Sequence, residues 1–515
     1  MNKRTILTVF GALLLGGAAL AGSGSGFLGV GYIAMDEDGN RSIDRATYNL
    51  YEGVQLSLTG FRYSLDNGIT LNAHLKGVTL KNRDLALGIS RAGLFGADLY
   101  HNRYRRNYDF GGGINSRRNR SGADIWVYPA RQVKLYLKSD YTDVTGRQTQ
   151  MFDIGVPDTQ MVSYGNRHYS FGARFAHMGR MFQADFGIGE FNNRLDNEHD
   201  QNRREFALTG HYPIPRFERL LLTGFIKHFE NEFAGGGQGI RSDTYMGTAL
   251  LHLNSKIWLK YLGLFNRAKA DSDLAATDNL AHAFFLSYTR LRKGGLTAGY
   301  QLSVNDDFDR GIDGSAYYVS AWYMPWESAE MRAEYGLRLE EVASGTRLIG
   351  DRENSRYRFN LKWRPSAYTS LNLRVESKNR TNDQLGSESD FMRYSAGVEF
   401  GVFRYLAFAG GYAHSIGEYS NLSQKFKFTD DQIYGDFDLS GVGRLIAGAG
   451  GNWNRSRRDL NLENFYLRFK GGLRFADDYQ LLAYYNVYNF DDLQYRDRYF
   501  TSNVIEISIG KTISF

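Results

Sequence analysis

The last twelve residues of the chain alternate between apolar and polar side chains. In an extended conformation one face would carry Ile505, Ile507, Ile509, Ile513 and Phe515, and the other would carry Glu506, Ser508, Gly510, Thr512 and Ser514. Side chains of a β-strand point alternately to opposite sides, so this period of two predicts a strand between two different environments.

Similar alternating segments recur along the chain back to about residue 27 and predict 26 strands, with 24 as the fallback count. Short connections alternate with longer polar ones. The short ones include 91–93, 129–131, 178–180, 254–256, 402–404 and 438–440, and the longer ones are 105–121, 144–165, 192–202, 231–241, 267–279, 342–353, 381–389 and 491–498. Short turns at one end and longer loops at the other are typical of outer-membrane barrels, whose short turns are periplasmic.

The composition agrees with an all-β protein that consists of a single large transmembrane antiparallel β-barrel over residues 22–515. Mean hydropathy is only −0.44, but a barrel distributes its apolar band over alternate residues, which keeps the average low. Aromatic residues make up 15% of the chain, as expected if they form girdles at both membrane interfaces. An even strand number would place both termini in the periplasm. The alternative is a secreted β-sandwich or β-propeller.

The two ends of the chain point to the outer membrane of a Gram-negative bacterium. Lys3 and Arg4 precede a mostly apolar run, and Ala19-Leu20-Ala21 is a small-x-small sequence. This pattern predicts a secretory signal peptide over residues 1–21, with a transmembrane anchor as the alternative. The terminal aromatic residue of the last strand resembles the C-terminal signal of bacterial outer-membrane barrels.

Three neighbouring predicted strands, 329–341, 354–364 and 368–380, carry charged residues on one face and apolar residues on the other. A charge on the lipid-facing side would cost about 2–4 kcal/mol at the membrane midplane, so we expect the charged face to line the lumen. The candidate residues that face the lumen or a partner are Arg332, Glu334, Arg338, Glu340, Arg356, Arg358, Lys362, Arg364, Arg374, Glu376 and Lys378.

Several kinds of chemistry have no sequence signal. The chain contains no cysteine, so it has no disulfide, thiolate metal site or attachment point for a c-type haem. The net charge of +6 is small, and no basic stripe is separated from acidic residues, which argues against nucleic-acid binding. We find no catalytic constellation and no histidine pair with metal-ligand spacing. The sequence therefore predicts a protein that is not an enzyme and holds no cofactor or metal itself.

A barrel of 26 strands would have a backbone diameter of about 50 Å, and such a hole would compromise the outer membrane if it were left open. Only a few residues separate the predicted cleavage site from the first predicted strand. The longest predicted loops are too short to fill so wide a lumen. We therefore expect a second polypeptide inside the barrel.

The N-terminal half resembles the decahaem-associated outer-membrane porins of the MtrB/PioB type. The resemblance rests on the segments 60–68, 85–96, 103–120 and 128–131. It implies a porin-like sheath that insulates a periplasmic multihaem c-type cytochrome and contacts an extracellular multihaem cytochrome, with the haem carried by these partners. The barrel would then serve electron transfer across the outer membrane, in contact with outer-membrane lipid.

Two other functions remain open from the residues. A passive diffusion or specific-uptake porin would have its lumen narrowed by the loops 105–121 and 144–165. An outer-membrane enzyme is a third possibility, for which we find no nucleophile set.

Overall fold

The fold is taken from a computed structural model of the chain. It describes residues 22–514 apart from these gaps: 40–49, 108–114, 151–157, 215–218, 235–238, 271–275, 291–292, 308–309, 345–349, 383, 385, 403–404, 477 and 496–497. The predicted signal peptide, residues 1–21, and the terminal Phe515 lie outside the described residues.

The chain forms one closed antiparallel β-barrel of 26 strands. Each strand pairs with its neighbours in sequence, and the first strand pairs with the last, from Ser25 opposite Ser514 to Gly39 opposite Phe500. The predicted all-β barrel and its strand number of 26 are confirmed. The last strand runs from Tyr499 to Ser514, the same bounds that its alternation predicts.

The strands have the following bounds: β1 Gly22–Gly39, β2 Gly53–Leu65, β3 Ile69–Lys76, β4 Asp84–Arg91, β5 Phe95–Asn107, β6 Asn115–Ala130, β7 Val133–Gln150, β8 Asp158–His177, β9 Arg180–Asn193, β10 Gln201–Pro213, β11 Leu220–Phe233, β12 Ile240–His252, β13 Ile257–Ala270, β14 Ala276–Arg290, β15 Gly294–Asp307, β16 Arg310–Trp326, β17 Ala329–Ser344, β18 Arg352–Ser366, β19 Thr369–Asn382, β20 Ser387–Val402, β21 Leu406–Ser420, β22 Lys425–Val442, β23 Leu445–Arg458, β24 Leu462–Ala476, β25 Tyr479–Asp492 and β26 Tyr499–Ser514. A short 3₁₀ helix, Asn197–His199, lies between β9 and β10. No helix among the described residues is long and apolar enough to cross a membrane.

The longest predicted loops are mostly strand. Strands β5 and β6 leave only residues 108–114 between them, and β7 and β8 leave only 151–157. The predicted loops 105–121 and 144–165 are therefore wrong in extent, and their connecting residues lie outside the described part of the chain. On β5 and β6, charged residues such as Arg105, Arg106 and Arg117 lie on both faces, so the alternation that marks a strand weakens although backbone pairing continues.

Buried apolar side chains are concentrated around the first strands and do not fill the centre of the barrel. One cluster includes Leu58, Phe61, Tyr63, Leu75 and Leu85. A second joins Ile33 of β1, Val504 of β26 and Leu80 of the connection between β3 and β4. Elsewhere, large apolar side chains on one face of the sheet are exposed within the chain; Ile507 is 51% exposed. That face therefore lacks a covering layer from the described protein.

Glycine and aromatic residues, both abundant in the sequence, pack against each other across strands. Gly122 of β6 lies opposite Tyr100 of β5, and Gly172 of β8 lies opposite Tyr136 of β7. In both cases the tyrosine ring occupies the space that a Cβ atom at the glycine position would need. The Tyr100 hydroxyl donates a 2.6 Å hydrogen bond to Asp140, which fixes the ring over Gly122. These rings cover the glycines and support the strand pairing.

We expect Gly122→Ala to lower the free energy of unfolding by about 1–3 kcal/mol, because overpacking at a fixed contact forces neighbouring groups to move. The new methyl group would overlap the Tyr100 hydroxyl and the carbonyl oxygen of Ser139. The matched control is Gly247→Ala, since a Cβ at that strand position meets no atom within 4 Å. Urea unfolding in detergent, followed by tryptophan fluorescence, measures both. Equal stability of the two variants would contradict this packing argument.

Candidate functional site

The charged residues predicted from the sequence meet across three adjacent strands. Glu334 of β17 lies opposite Arg358 of β18, and Arg358 lies opposite Glu376 of β19. The other predicted residues share this face because they are separated from these three by an even number of positions on the same strands. All eleven predicted residues therefore lie on one face of the sheet, which we call the charged face. The opposite face, which carries residues such as Phe359 and Leu373, is the apolar face.

Glu376 is the centre of the densest group of charges on this face. Its carboxylate accepts hydrogen bonds from Arg356 at 2.7 Å and from Arg374 at 2.5 Å. Lys378 and Arg358 lie farther away, at 3.5 Å and 3.7 Å from Oε1. We call these five residues the Glu376 cluster.

The carboxylate of the cluster is covered and its basic groups are accessible. The Glu376 side chain is 4% exposed, whereas the side chains of Arg356, Arg374 and Lys378 are 46%, 42% and 51% exposed. A molecule that approaches this part of the charged face therefore meets basic groups first.

Two further carboxylates connect to neighbouring arginines. Glu334 accepts a hydrogen bond from Arg358 at 3.2 Å and pairs with Arg332 at 2.8 Å, which links β17 to the Glu376 cluster. Glu340 pairs with Arg338 at 2.6 Å and with Arg352 at 3.8 Å. Lys362 and Arg364 form no ion pair with the described residues.

The structure adds basic residues that the sequence analysis did not select. Arg352 lies just before the predicted strand 354–364, but β18 begins at this residue. Arg380 of β19 lies opposite Asn354, and Arg393 of β20 lies opposite Glu376, so both belong to the charged face. Arg380 already lies on this face within the predicted strand 368–380. Extending the period of two by two residues would have found Arg352, and Arg393 required the pairing of β20 with β19.

Basic residues outnumber acidic ones about two to one on the charged face of β17–β20, and we call this surface the cationic wall. Its basic residues are Arg332, Arg338, Arg352, Arg356, Arg358, Lys362, Arg364, Arg374, Lys378, Arg380 and Arg393, and its acidic residues are Glu330, Glu334, Glu340, Glu376 and Glu399.

Strands β22 and β24 differ from the wall, since charges there are matched one to one. Arg468 donates a 2.8 Å hydrogen bond to Asp436, and Lys470 lies 3.5 Å from Asp438.

Some hydrogen-bond donors of the cationic wall have no acceptor. The Nε atoms of Arg352, Arg358 and Arg374 are buried within the protein and have no hydrogen-bond partner among the described atoms. The Nε atoms of arginines elsewhere in the barrel, such as Arg203 and Arg455, share this feature, so it does not distinguish the wall.

The wall combines guanidinium and ammonium groups, which can bind anions, with carboxylates of which Glu334, Glu340 and Glu376 are paired with basic residues. Within the described part of the chain, no group of three or more histidine, aspartate or glutamate residues could hold a metal ion.

No family model and no curated protein sequence matches the chain. Solved structures do match. The siderophore receptor PirA from Pseudomonas aeruginosa aligns over 96% of this chain and 80% of its own length, with 8% identity and a TM-score of 0.50. The FrpB iron transporter from Neisseria meningitidis (F5-1 variant) aligns over 82% of this chain and 81% of its own length, with 9% identity and a TM-score of 0.52. At these identities the likeness shows a shared barrel fold.

These findings correct the identification made from the sequence. The two similar structures named above are a siderophore receptor and an iron transporter, whereas the sequence pointed to the MtrB/PioB-type porins of electron conduits. The predicted resemblance to those porins is wrong. The cytochrome sheath, the electron-transfer role, and the periplasmic and extracellular multihaem partners derived from it are wrong with it. The segments that suggested the resemblance, such as 60–68 and 85–96, are short strand-and-turn sequences that many barrels can contain.

We expect Glu376→Ala to lower the free energy of unfolding by about 1–3 kcal/mol, because basic groups on adjacent strands would lose their shared counter-charge and acceptor. The matched control is Glu330→Ala on β17 of the same face, for which no ion pair is recorded with the described residues; we expect a change within about 0.5 kcal/mol. Urea unfolding midpoints in detergent measure both. If Glu330→Ala were as destabilising as Glu376→Ala, the cluster would have no special structural role.

Proposed function

We propose that this chain is an outer-membrane β-barrel for uptake, whose charged face lines a water-filled lumen through which polar solutes cross. The observation that carries this proposal is the division of the sheet into two chemically different faces. In a closed barrel one face must point outward and the other inward.

The apolar face has the dimensions of a membrane-spanning band. On β17 it runs from Ala329 through Tyr335 to Leu339, and the next residue on that face is Glu341. These positions span about 33 Å along a strand, or about 25 Å along the axis of a barrel whose strands tilt near 40°. Outer-membrane barrels have an outward-facing apolar band of about 25 Å, so we assign the apolar face to lipid.

The assignment of the charged face to the lumen follows from the same closure. Basic residues extend along the charged face of β18, from Arg352 near one end to Arg364 near the other. At the membrane midplane a lysine or arginine facing lipid would cost about 2–4 kcal/mol, and several at once would prevent insertion. Facing inward, the same residues would be hydrated.

The connections support an orientation with both termini in the periplasm. The start of β1 and the end of β26 lie side by side, since Ser25 pairs with Ser514. The turns at this end are short: Glu327 and Ser328 connect β16 to β17, and Ala367 and Tyr368 connect β18 to β19. Short turns face the periplasm in outer-membrane barrels. The signal peptide predicted over residues 1–21 is consistent with export.

The comparisons favour uptake of particular solutes over general diffusion. The proteins named as similar are a siderophore receptor and an iron transporter, and this chain shares their barrel fold. The cationic wall has an excess of basic over acidic residues. This excess gives one part of the proposed lumen a surface that can recognise particular solutes. We propose no enzymatic activity, since the wall offers binding groups only.

The two-face assignment predicts opposite labelling of neighbouring residues on β20. Ser395 lies opposite Arg374 on the charged face, and Ala396 lies on the apolar face. The chain has no cysteine, so Ser395→Cys and Ala396→Cys each introduce a unique thiol. In protein reconstituted into liposomes, we expect a membrane-impermeant maleimide to label residue 395 rapidly and residue 396 at least tenfold more slowly.

Labelling both proteins in denaturant controls for thiol reactivity. Faster labelling at 396 than at 395 in liposomes would reverse the assignment of the faces.

The uptake proposal predicts that the purified chain makes membranes permeable. We expect liposomes that contain the barrel to swell in an isotonic solution of a small neutral sugar, because the solute enters through the hydrated lumen. Protein-free liposomes are the baseline, and liposomes with heat-denatured barrel control for leakage. Sealed liposomes with correctly folded barrel would contradict a permeable lumen.

A further inference from the structure

We propose that the Glu376 cluster is a binding site for a solute that carries two or more carboxylate or phosphate groups. This inference rests on the proposed function, since it needs the charged face to be hydrated and accessible. It goes further by giving the chemical class of the ligand and the residues that hold it.

The charges of the cluster favour an anion. One carboxylate, Glu376, faces four basic side chains within 4 Å. Arg358 also pairs with Glu334, but Glu334 has a second arginine, Arg332, on its other side. The connected network therefore keeps an excess of positive charge after its internal pairs are counted, and an incoming anion would neutralise it.

The geometry favours oxyanions over simple halide ions. A guanidinium group presents several N–H donors in one plane, a shape that matches carboxylate and phosphate oxygens. An oxyanion with several acceptor oxygens can receive hydrogen bonds from the exposed side chains of Arg356, Arg374 and Lys378, which are 46%, 42% and 51% exposed.

The spacing favours a ligand with more than one anionic group. Arg356 lies directly opposite Lys378 on the neighbouring strand, and Arg374 is four residues before Lys378 along β19. Their charged ends converge on Glu376: Arg356 and Lys378 approach its Oε1 atom and Arg374 approaches its Oε2 atom, so the basic groups lie on different sides of one carboxylate. Two carboxylate or phosphate groups of one small molecule can thus contact different basic residues simultaneously, so that each group adds to the affinity of the other.

The rest of the charged face provides the contrast that the test uses. Arg468 and Lys470 of β24 are each matched by one aspartate of β22. Removing these two basic residues eliminates the same amount of charge from the lumen as removing Arg356 and Arg374, but it leaves the Glu376 cluster intact.

The experiment is isothermal titration calorimetry on the folded full-length barrel in a non-ionic detergent at low salt. The probes are inorganic pyrophosphate and tricarballylate, which separate phosphate from carboxylate recognition. We expect at least one of them to bind with 1:1 stoichiometry. We expect Arg356→Gln/Arg374→Gln to weaken that binding at least tenfold, and Arg468→Gln/Lys470→Gln to change it less than twofold.

A second variant predicts an effect of opposite sign. Glu376→Gln removes the competing negative charge and keeps a side chain that can accept hydrogen bonds, so we expect the anion to bind about threefold more tightly or better. The mobility shift of the unheated barrel in electrophoresis verifies the fold of every variant. If Glu376→Gln does not fold, the loss of anion binding in Arg356→Gln/Arg374→Gln alone tests the proposed site.

Binding of neither probe, or equal loss of binding in the two double variants, would overturn the proposed site. The measurement does not require conduction, so its failure is distinct from failure of the uptake proposal. Liposomes that swell with a barrel that binds no anion would refute only the site. A barrel that binds the anion but leaves liposomes sealed would refute only the permeable lumen.

Discussion

Closure of the sheet by pairing of β1 with β26 is the constraint on which the rest of the structure depends. Backbone N–H and C=O groups cannot remain unpaired in lipid, so a sheet can cross a membrane only if it has no free edge. The closing pair extends from Ser25 opposite Ser514 to Gly39 opposite Phe500, nearly the full length of both strands. Once the sheet is closed, one of its faces is the inside of the barrel and the other is the outside. The position of a residue in the alternation then determines whether its side chain points inward or outward.

Closure also explains where the protein finds stability without a central core. Among the described residues no protein layer packs against the apolar face, and buried apolar residues are concentrated near β1–β4. Elsewhere the contacts are between neighbouring strands: backbone ladders, aromatic rings over glycines such as Tyr100 over Gly122, and ion pairs such as Arg358 with Glu334. The Glu376 cluster is built in the same way, from residues that adjacent strands bring side by side. A barrel wall can therefore carry a local site without a cavity enclosed by several layers.

Much of the fold could be predicted from the sequence, and much less of the site. The alternation predicts the strand number and the bounds of strands such as β26, because a period of two records directly that one face is apolar and the other polar. It fails at the strand ends within 105–121, where charged residues lie on both faces, and within 144–165, although backbone pairing continues in both. It places Arg358 and Glu376 on one face correctly, but it does not show that four basic groups surround a single carboxylate. The family assignment also went wrong, because short strand-and-turn segments carry little information about function.

The sequence by itself determined the strands, their number and the face on which each side chain lies, since these depend only on local alternation. The tertiary structure alone decided which charges meet. The distance from Glu376 to Arg356 depends on the register between β18 and β19, and the position of Arg393 depends on the next pairing along the barrel. Register is a non-local property: it is set by the turns and by the cumulative pairing of all the strands up to the closing pair. For that reason the excess of basic residues at the cationic wall can be counted in the sequence, but its arrangement around one buried carboxylate is visible only in the folded barrel.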